Sequence, residues 1–239
     1  MAKKDKRISA DEIVKLIKPG STVMVGGFMA TGTPEILMEK LVEYNIGNLT
    51  IIADDAGFCP NRMGHSEARG VGKLIAARLV RHIIASHVGL NPDVAKQMNE
   101  GFLKCTFIPQ GTLAEKMRLS RSGLGGFLTP TGVGTPVESD VDELGRKRKV
   151  VEIEGKKYLL ELPFKADFAL IRASECDTFG NFVCYKMTKN FNYAVAGSAA
   201  VTIIASEKVN KIGAVNPEIY DMPGVLVDYV VEGEKKWRV

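Results

Sequence analysis

The chain has 239 residues, 45% hydrophobic and 25% charged, with a formal net charge of +4. That mix excludes a collagen, a coiled coil and a wholly disordered chain, and the length suffices to bury a core without staples. The basic excess sits in Lys3, Lys4, Lys6 and Arg7, in Arg146 to Lys149, and in Lys235, Lys236 and Arg238. Such clusters read as solvated ends and loops, so no nucleic-acid partner is expected. The longest weakly polar stretch, Ala194 to Ala205, falls short of the roughly 20 apolar residues of a membrane span. Asp11 and Glu12 stand where a signal peptide needs its apolar run, so the expected compartment is the cytoplasm. Cys59, Cys105, Cys176 and Cys184 show no C-x2-C spacing, and His65, His82 and His87 are scattered. Free thiols and no metal site follow.

The first predicted element is a helix opened by a capping box, Ser9 with Glu12, and stopped by Pro19-Gly20. Thr22 to Val25 reads as a short buried strand that runs into Gly26-Gly27-Phe28. Thr33 suits an N-cap and Pro34 a first helical position, and Ile36, Leu37, Met38, Leu41 and Val42 supply the apolar stripe. Leu49 to Ala53 is a second buried strand. Helix over 72–80, strand over His82 to Ser86, helix from Asn91-Pro92 to Asn99, strand over Lys104 to Ile108 and helix over Leu113 to Leu119 continue the alternation. This pattern predicts an α/β fold: an open, mostly parallel sheet with helices on both faces. Residues 120–146 hold six glycines and little apolar periodicity, which predicts a long shaped loop. A hairpin follows, Val150 to Ile153 with Lys157 to Leu160 around Glu154-Gly155-Lys156. Asp167 to Ala173, Val201 to Ala205 and Val225 to Val230 are further strands. The whole chain, 1–239, reads as one domain without internal repeats.

Four places carry chemistry. The first is Val23 to Pro34, where a strand delivers the chain to Gly26-Gly27-Phe28-Met29-Ala30-Thr31-Gly32 just before a helix. Backbone N–H groups exposed there suit an anion or a developing oxyanion. Gly27 and Gly32 have the G-x4-G spacing of a phosphate-binding loop, but Thr33-Pro34 stands where Lys-Ser/Thr is required. The dinucleotide fingerprint is unmatched as well. A plain strand-to-helix turn is the competing reading. The second is Pro109-Gln110-Gly111-Thr112 at the carboxyl end of a strand, where ligands collect in open α/β sheets. Gln110 can donate to a carbonyl oxygen without adding charge, or it can be an exposed glutamine in a capping turn. The third is the glycine-rich run Gly123 to Pro136, a ligand loop or a surface excursion. The fourth is Asp54-Asp55, whose side chains point to opposite sides of a strand and so do not form an acid–base pair. No G-x-S-x-G elbow and no cysteine–histidine setting supplies a nucleophile. Loops shaped for a ligand without a reactive residue suggest half of a composite active site.

These segments, taken in order, resemble the α (A) subunit of the family I CoA-transferases, with bacterial acetate/butyrate–acetoacetate enzymes as the closest look-alikes. The likeness rests on Val23 to Pro34, Ile84-Ala85-Ser86-His87, Pro109 to Leu113, Gly125 to Thr135, Ala166 to Ala173, Gly180-Asn181 and Lys189-Asn190-Phe191-Asn192. The resemblance implies the fold shared by sugar-phosphate isomerases and CoA-transferases, coenzyme A present as an acyl-CoA substrate, and no permanently bound cofactor. It implies a β (B) subunit partner, expected in an α2β2 assembly, whose glutamate attacks the thioester and becomes a glutamyl-CoA thioester. It assigns Gly26, Gly27, Phe28, Met29, Ala30, Thr31 and Gly32 to CoA binding and Gln110 to the oxyanion and acyl pocket. It places Asp54, Asp55, Gly125, Gly126 and Phe127 in the substrate pocket. Relatives often carry Asn-Asn or Asn-Asp at 54–55, and Cys59 to Gly70 is longer here. His65-Ser66-Glu67 begins like the partner's catalytic motif but continues Ala68-Arg69, and reads as coincidence. The expected function is a short-chain acyl-CoA:acetoacetate transferase subunit. A 3-oxoadipate or other 3-oxoacid transferase, a self-sufficient sugar-phosphate isomerase-like enzyme and a non-catalytic binding module are the alternatives.

Overall fold

The architecture is that of a computed structural model describing residues 5–143, 145–214 and 216–234. In chain order, α1 (Ala10–Val14), β1 (Thr22–Val25), α2 (Glu35–Glu43), β2 (Leu49–Ile52), α3 (Gly72–Ala76), β3 (Val80–Ala85), α4 (Pro92–Asn99), β4 (Lys104–Phe107) and α5 (Gln110–Ser122) alternate. The middle of the chain holds β5 (Phe127–Thr129), α6 (Pro136–Ser139), β6 (Lys149–Ile153) and β7 (Lys156–Glu161). The remainder is β8 (Phe168–Ala173), β9 (Glu175–Asp177), β10 (Phe182–Val183), α7 (Asn190–Val195), β11 (Val201–Ser206), β12 (Val209–Asn210) and β13 (Tyr229–Glu232).

The main sheet has seven strands in the order β13-β11-β8-β1-β2-β3-β4, and every pair in it is parallel. Strand alternation sends successive side chains to two cores. Val23, Val25, Ile51, Ile83, Leu170 and Ile203 pack with α1 to α4. Met24, Ile52, Ile84, Ile171 and Ile204 pack with Leu113, Met117 and Val195 of α5 and α7. Both faces are therefore covered, as the near-continuous apolar strands require. The chain leaves β1 toward β2, β3 and β4, then returns to β8 on the other side of β1. The order reverses between β1 and β8, and in such sheets the crevice beyond the carboxyl ends at that point receives ligands.

Several boundaries differ from those expected. The N-cap of α2 is Pro34, not Thr33, and it has no side-chain cap bond; the Ile36 N–H instead donates to Glu234 Oε2 at 3.2 Å. The helix expected over 72–80 ends at Ala76, and Arg78 adopts a left-handed φ of 57°. The α5 helix starts at Gln110 and ends on left-handed Gly123, so Gln110 stands on the first helical turn. The last strand begins at Tyr229, because Gly224–Leu226 forms a 3-10 turn. The hairpin gains β5 as a third strand, so the glycine-rich middle is partly ordered structure. A second small sheet, β10-β9-β12, and α7 were not expected.

Candidate active site

The carboxyl edge of the sheet gathers the glycine loop after β1, Asp54-Asp55 after β2, Ser86-His87 after β3 and Gln110 after β4. The glycine loop folds back on itself: the Phe28 N–H donates to Thr31 O at 3.0 Å and the Thr31 N–H to Phe28 O at 2.8 Å. Its central residues, Met29 and Ala30, have φ of 48° and 60°, the left-handed pair of a tight two-residue turn that Asn-Gly usually supplies. External contacts hold this strained turn. Asp55 Oδ2 accepts from the Met29 N–H at 2.6 Å and Oδ1 from the Gly57 N–H at 2.6 Å. Gly57, Gly70 and Gly72 let the long excursion between β2 and α3 close on Phe58, Arg69 and Ala30 without a Cβ in the way.

From the other side, Asn192 spans the switch point. Its Nδ2 donates to Gly32 O and Thr188 O, both at 2.9 Å, and its Oδ1 accepts from the Arg172 N–H at 3.0 Å. Asn190 Nδ2 adds a bond to Thr31 O at 2.9 Å. A Cβ on Gly26 would overlap Asn192 Oδ1, and one on Gly27 would overlap Thr33 Oγ1. These glycines allow close approach. The space enclosed under the loop, lined by Gly26, Gly27, Thr33, Asp54 and Asp55, is about 10 Å3, room for one water at most. An acyl group has to sit outside it.

The two aspartates point apart, as the alternation predicts. Asp55 faces the loop, and burial pushes its carboxyl above the ordinary carboxylate value, opposed by the two backbone bonds. Asp54 is fully buried and faces β3 and α5. Its Oδ1 accepts from Gln110 Nε2 at 2.9 Å and from Ser86 Oγ at 3.0 Å. The Ser86 hydroxyl also lies 3.1 Å from His87 Nδ1, and the His87 ring is tilted against Phe28 with centroids 6.4 Å apart. Gln110 is exposed. Around it the first turn of α5, with no side-chain cap, offers N–H groups to the same edge.

Asp54, Asp55, Gln110 and Gly26 to Gly32 are thus brought together. Gly125, Gly126 and Phe127 are tied elsewhere, to the three-stranded sheet: Phe127 pairs with Glu161, and Gly126 lies against the Glu161 carbonyl. Glu67 is exposed and lines a groove with Glu39, Glu43 and Lys73 on the outside of α2 and α3, not the carboxyl edge. Burial pushes the Cys105 thiol up to about 11 and those of Cys176 and Cys184 up to about 12, so none is a ready nucleophile. As candidates for the site, Ser86, His87, Asn190 and Asn192 entered the sequence reading only through the family resemblance. Their signal was the tendency of Ser and Asn to bond nearby backbone, which says nothing about which distant loop they reach.

The coenzyme A transferase family model matches residues 7–233. The chain belongs to the coenzyme A transferase family. It is 38% identical to the acetate CoA-transferase subunit alpha of Escherichia coli K12, over 97% of this chain and 99% of that one. It is 41% identical to the acetoacetyl-CoA:acetate/butyrate CoA transferase alpha subunit of Clostridium acetobutylicum, over 95% and 97%. Its fold matches an acyl-CoA transferase of E. coli O157:H7, solved as a thioester complex with CoA, at a TM-score of 0.78 and 24% identity, over 96% of this chain. This transferase-family chain spans 50% of the length of that solved chain. No described helix is long and apolar enough to cross a membrane.

Proposed function

We propose that this chain is the α subunit of a short-chain acyl-CoA:acetoacetate CoA-transferase, working in the cytoplasm with a β subunit. The observation that carries the reading is the exposed Gln110 amide, fixed at the open carboxyl edge beside a glycine loop braced from both sides. Acyl transfer needs such groups: uncharged donors placed where an oxyanion develops. In this reading, a carboxylate of the partner attacks the thioester carbonyl, the C–S bond breaks, and CoA leaves as thiolate from an acyl-carboxyl anhydride. The thiolate then attacks the partner's own carbonyl carbon. The acyl carboxylate departs, and a glutamyl-CoA thioester remains for the acceptor acid to reverse. This chain contributes binding and oxyanion stabilisation: the Gly26–Gly32 amides toward CoA and its thioester, and Gln110 toward the carbonyl oxygen. The full-length likeness to transferase α subunits supports the missing half. So does the doubled length of the solved relative.

The reading also revises what Asp54 does. As an open pocket wall its carboxylate would repel an acceptor acid. Fully buried and bonded to Gln110 and Ser86, it faces protein. Gly125, Gly126 and Phe127 are proposed to reach substrate from the separate three-stranded sheet in which β5 lies. The test is acyl exchange from acetoacetyl-CoA to acetate, butyrate and 3-oxoadipate by the copurified complex. Preference for acetate or butyrate is expected; exchange confined to 3-oxoadipate would move the assignment to a dicarboxylic 3-oxoacid.

A further inference from the structure

The small sheet of β5, β7 and β6 carries apolar side chains on both faces. Side chains directly opposite in an antiparallel pair share a face. The register puts Thr129, Leu159 and Glu161 on one face and Leu128, Val151, Ile153, Tyr158 and Leu160 on the other. The first face turns inward: Thr129, Leu159 and Glu161 are buried, and Glu161 pairs with Lys116 of α5 at 2.9 Å. The second face is left half-open. Leu128, Val151, Tyr158 and Leu160 are half-buried and Ile153 is 46% exposed, and none of the five packs into either core. A sheet with one wet side alternates apolar with polar residues. Val150-Val151 and Tyr158-Leu159-Leu160 break that alternation.

We propose that this outer face is a docking surface for the β subunit, which meets it with acidic side chains; the proposal rests on the divided-site reading. Charge selects the occupant. From Arg146 to Lys157 the chain carries six basic and two acidic residues. Arg146 and Arg148 are paired within the chain, to Asp142 and Glu161. Lys149 and Lys156 stand exposed on the apolar face itself, opposite Leu160 and Ile153, with Lys156 Nζ 5.4 Å from the Tyr158 ring centre. A second copy seated isologously on the same patch would set these lysines against their own counterparts. An unlike, acidic surface fits instead. Position agrees with charge. The inner face is anchored at Lys116, six residues beyond Gln110 on α5, a rise of about 9 Å. A partner that delivers a carboxylate to Gln110 therefore lies beside this sheet. Five half-open side chains fall short of the roughly 800 Å2 that a stable contact buries on each partner, so the face is one arm of an interface that continues to the carboxyl edge.

The test is dissociation of the copurified complex on dilution, followed by sedimentation velocity. Ile153→Glu should raise the concentration at which the subunits part by at least about tenfold. Rising salt should weaken the wild-type complex, and the double variant K149E/K156E should part at higher concentration and lose that salt response. Wild-type behaviour in both variants would overturn the proposal, as would variants that lose contacts between two copies of this chain while the β subunit stays bound. Hydroxyl-radical footprinting reads the same face without substitution. Tyr158 should be oxidised several-fold more slowly in the intact wild-type complex than in the full chain freed by dilution. Equal oxidation would refute the docking even if no variant folds. A wild-type complex that protects Tyr158 yet exchanges no acyl groups would uphold the docking surface and count against the functional reading alone.

Discussion

Two glycine-rich stretches invite the same reading from sequence, and the structure separates them. In the loop after β1, each of Gly26, Gly27 and Gly32 lies where a Cβ would meet Asn192 or Thr33. In the middle of the chain, a Cβ added at Gly123, Gly125, Gly134 or Gly145 would meet nothing within 4 Å. The first set serves close packing at the switch point, and the second mostly serves turns. The two regions are also held by different forces. Directional bonds from Asp55, Asn190 and Asn192 hold the loop. The middle is anchored through Lys116, fully buried on α5, whose Nζ pairs with Glu143 at 3.0 Å and Glu161 at 2.9 Å. Arg148 closes this cluster on Glu161 at 3.1 Å. Glycine density therefore marks a place where the chain bends or is crowded, and only the neighbours say which.

The largest expected effect breaks the anchor. Lys116→Met leaves buried Glu143 without Lys116 and Glu161 with Arg148 in place of two cations and should cost about 3–5 kcal/mol, read by urea unfolding; a loss below about 1 kcal/mol would show the cluster to be incidental. Gly26→Ala comes next. The new methyl group displaces Asn192 and with it the bonds to Gly32 O and the Arg172 N–H. Stability should fall by about 1–3 kcal/mol, and exchange activity of the assembled enzyme should fall more than a K116M variant loses at equal folded fraction.

The pH response is a smaller effect. Burial raises the Asp55 carboxyl above its ordinary 3.8, so the folded state holds that proton more readily than the unfolded chain. The Asp55 contribution to stability is then full below the ordinary value and shrinks as pH rises through the raised one. The Tm advantage of the natural protein over Asp55→Asn should be larger in acid than at neutrality, and a growing advantage with rising pH would reverse the sign. Smallest is Gly125→Ala, at an exposed position with open space: stability within about 0.5 kcal/mol of the natural chain, measured by thermal melts.

The capping box at Ser9, the strand Thr22–Val25 and the α4 helix opened at Asn91 were legible because each is decided by local residues. The ends of α3 and α5 were not, since Arg78 and Gly123 stop them through left-handed backbone. α7, Asn190–Val195, is six residues without a capping side chain; its place is set by Asn192 reaching Gly32, a contact 160 residues apart in sequence. In the same way, Asp54-Asp55, Gln110 and the loop were each visible as pieces. That Asp54 serves Gln110 and Asp55 serves Met29 depends on the order of β1, β2, β3 and β4 in the sheet, which spacing does not encode.

The central claim is a divided site, with this chain supplying positioned donors and its partner the carboxylate. Intact-mass analysis of both chains after incubation of the complex with acetoacetyl-CoA tests it most directly. A CoA adduct on the partner and none on this chain is the expected result. An adduct on this chain, at Glu67 or any other carboxylate, would contradict it.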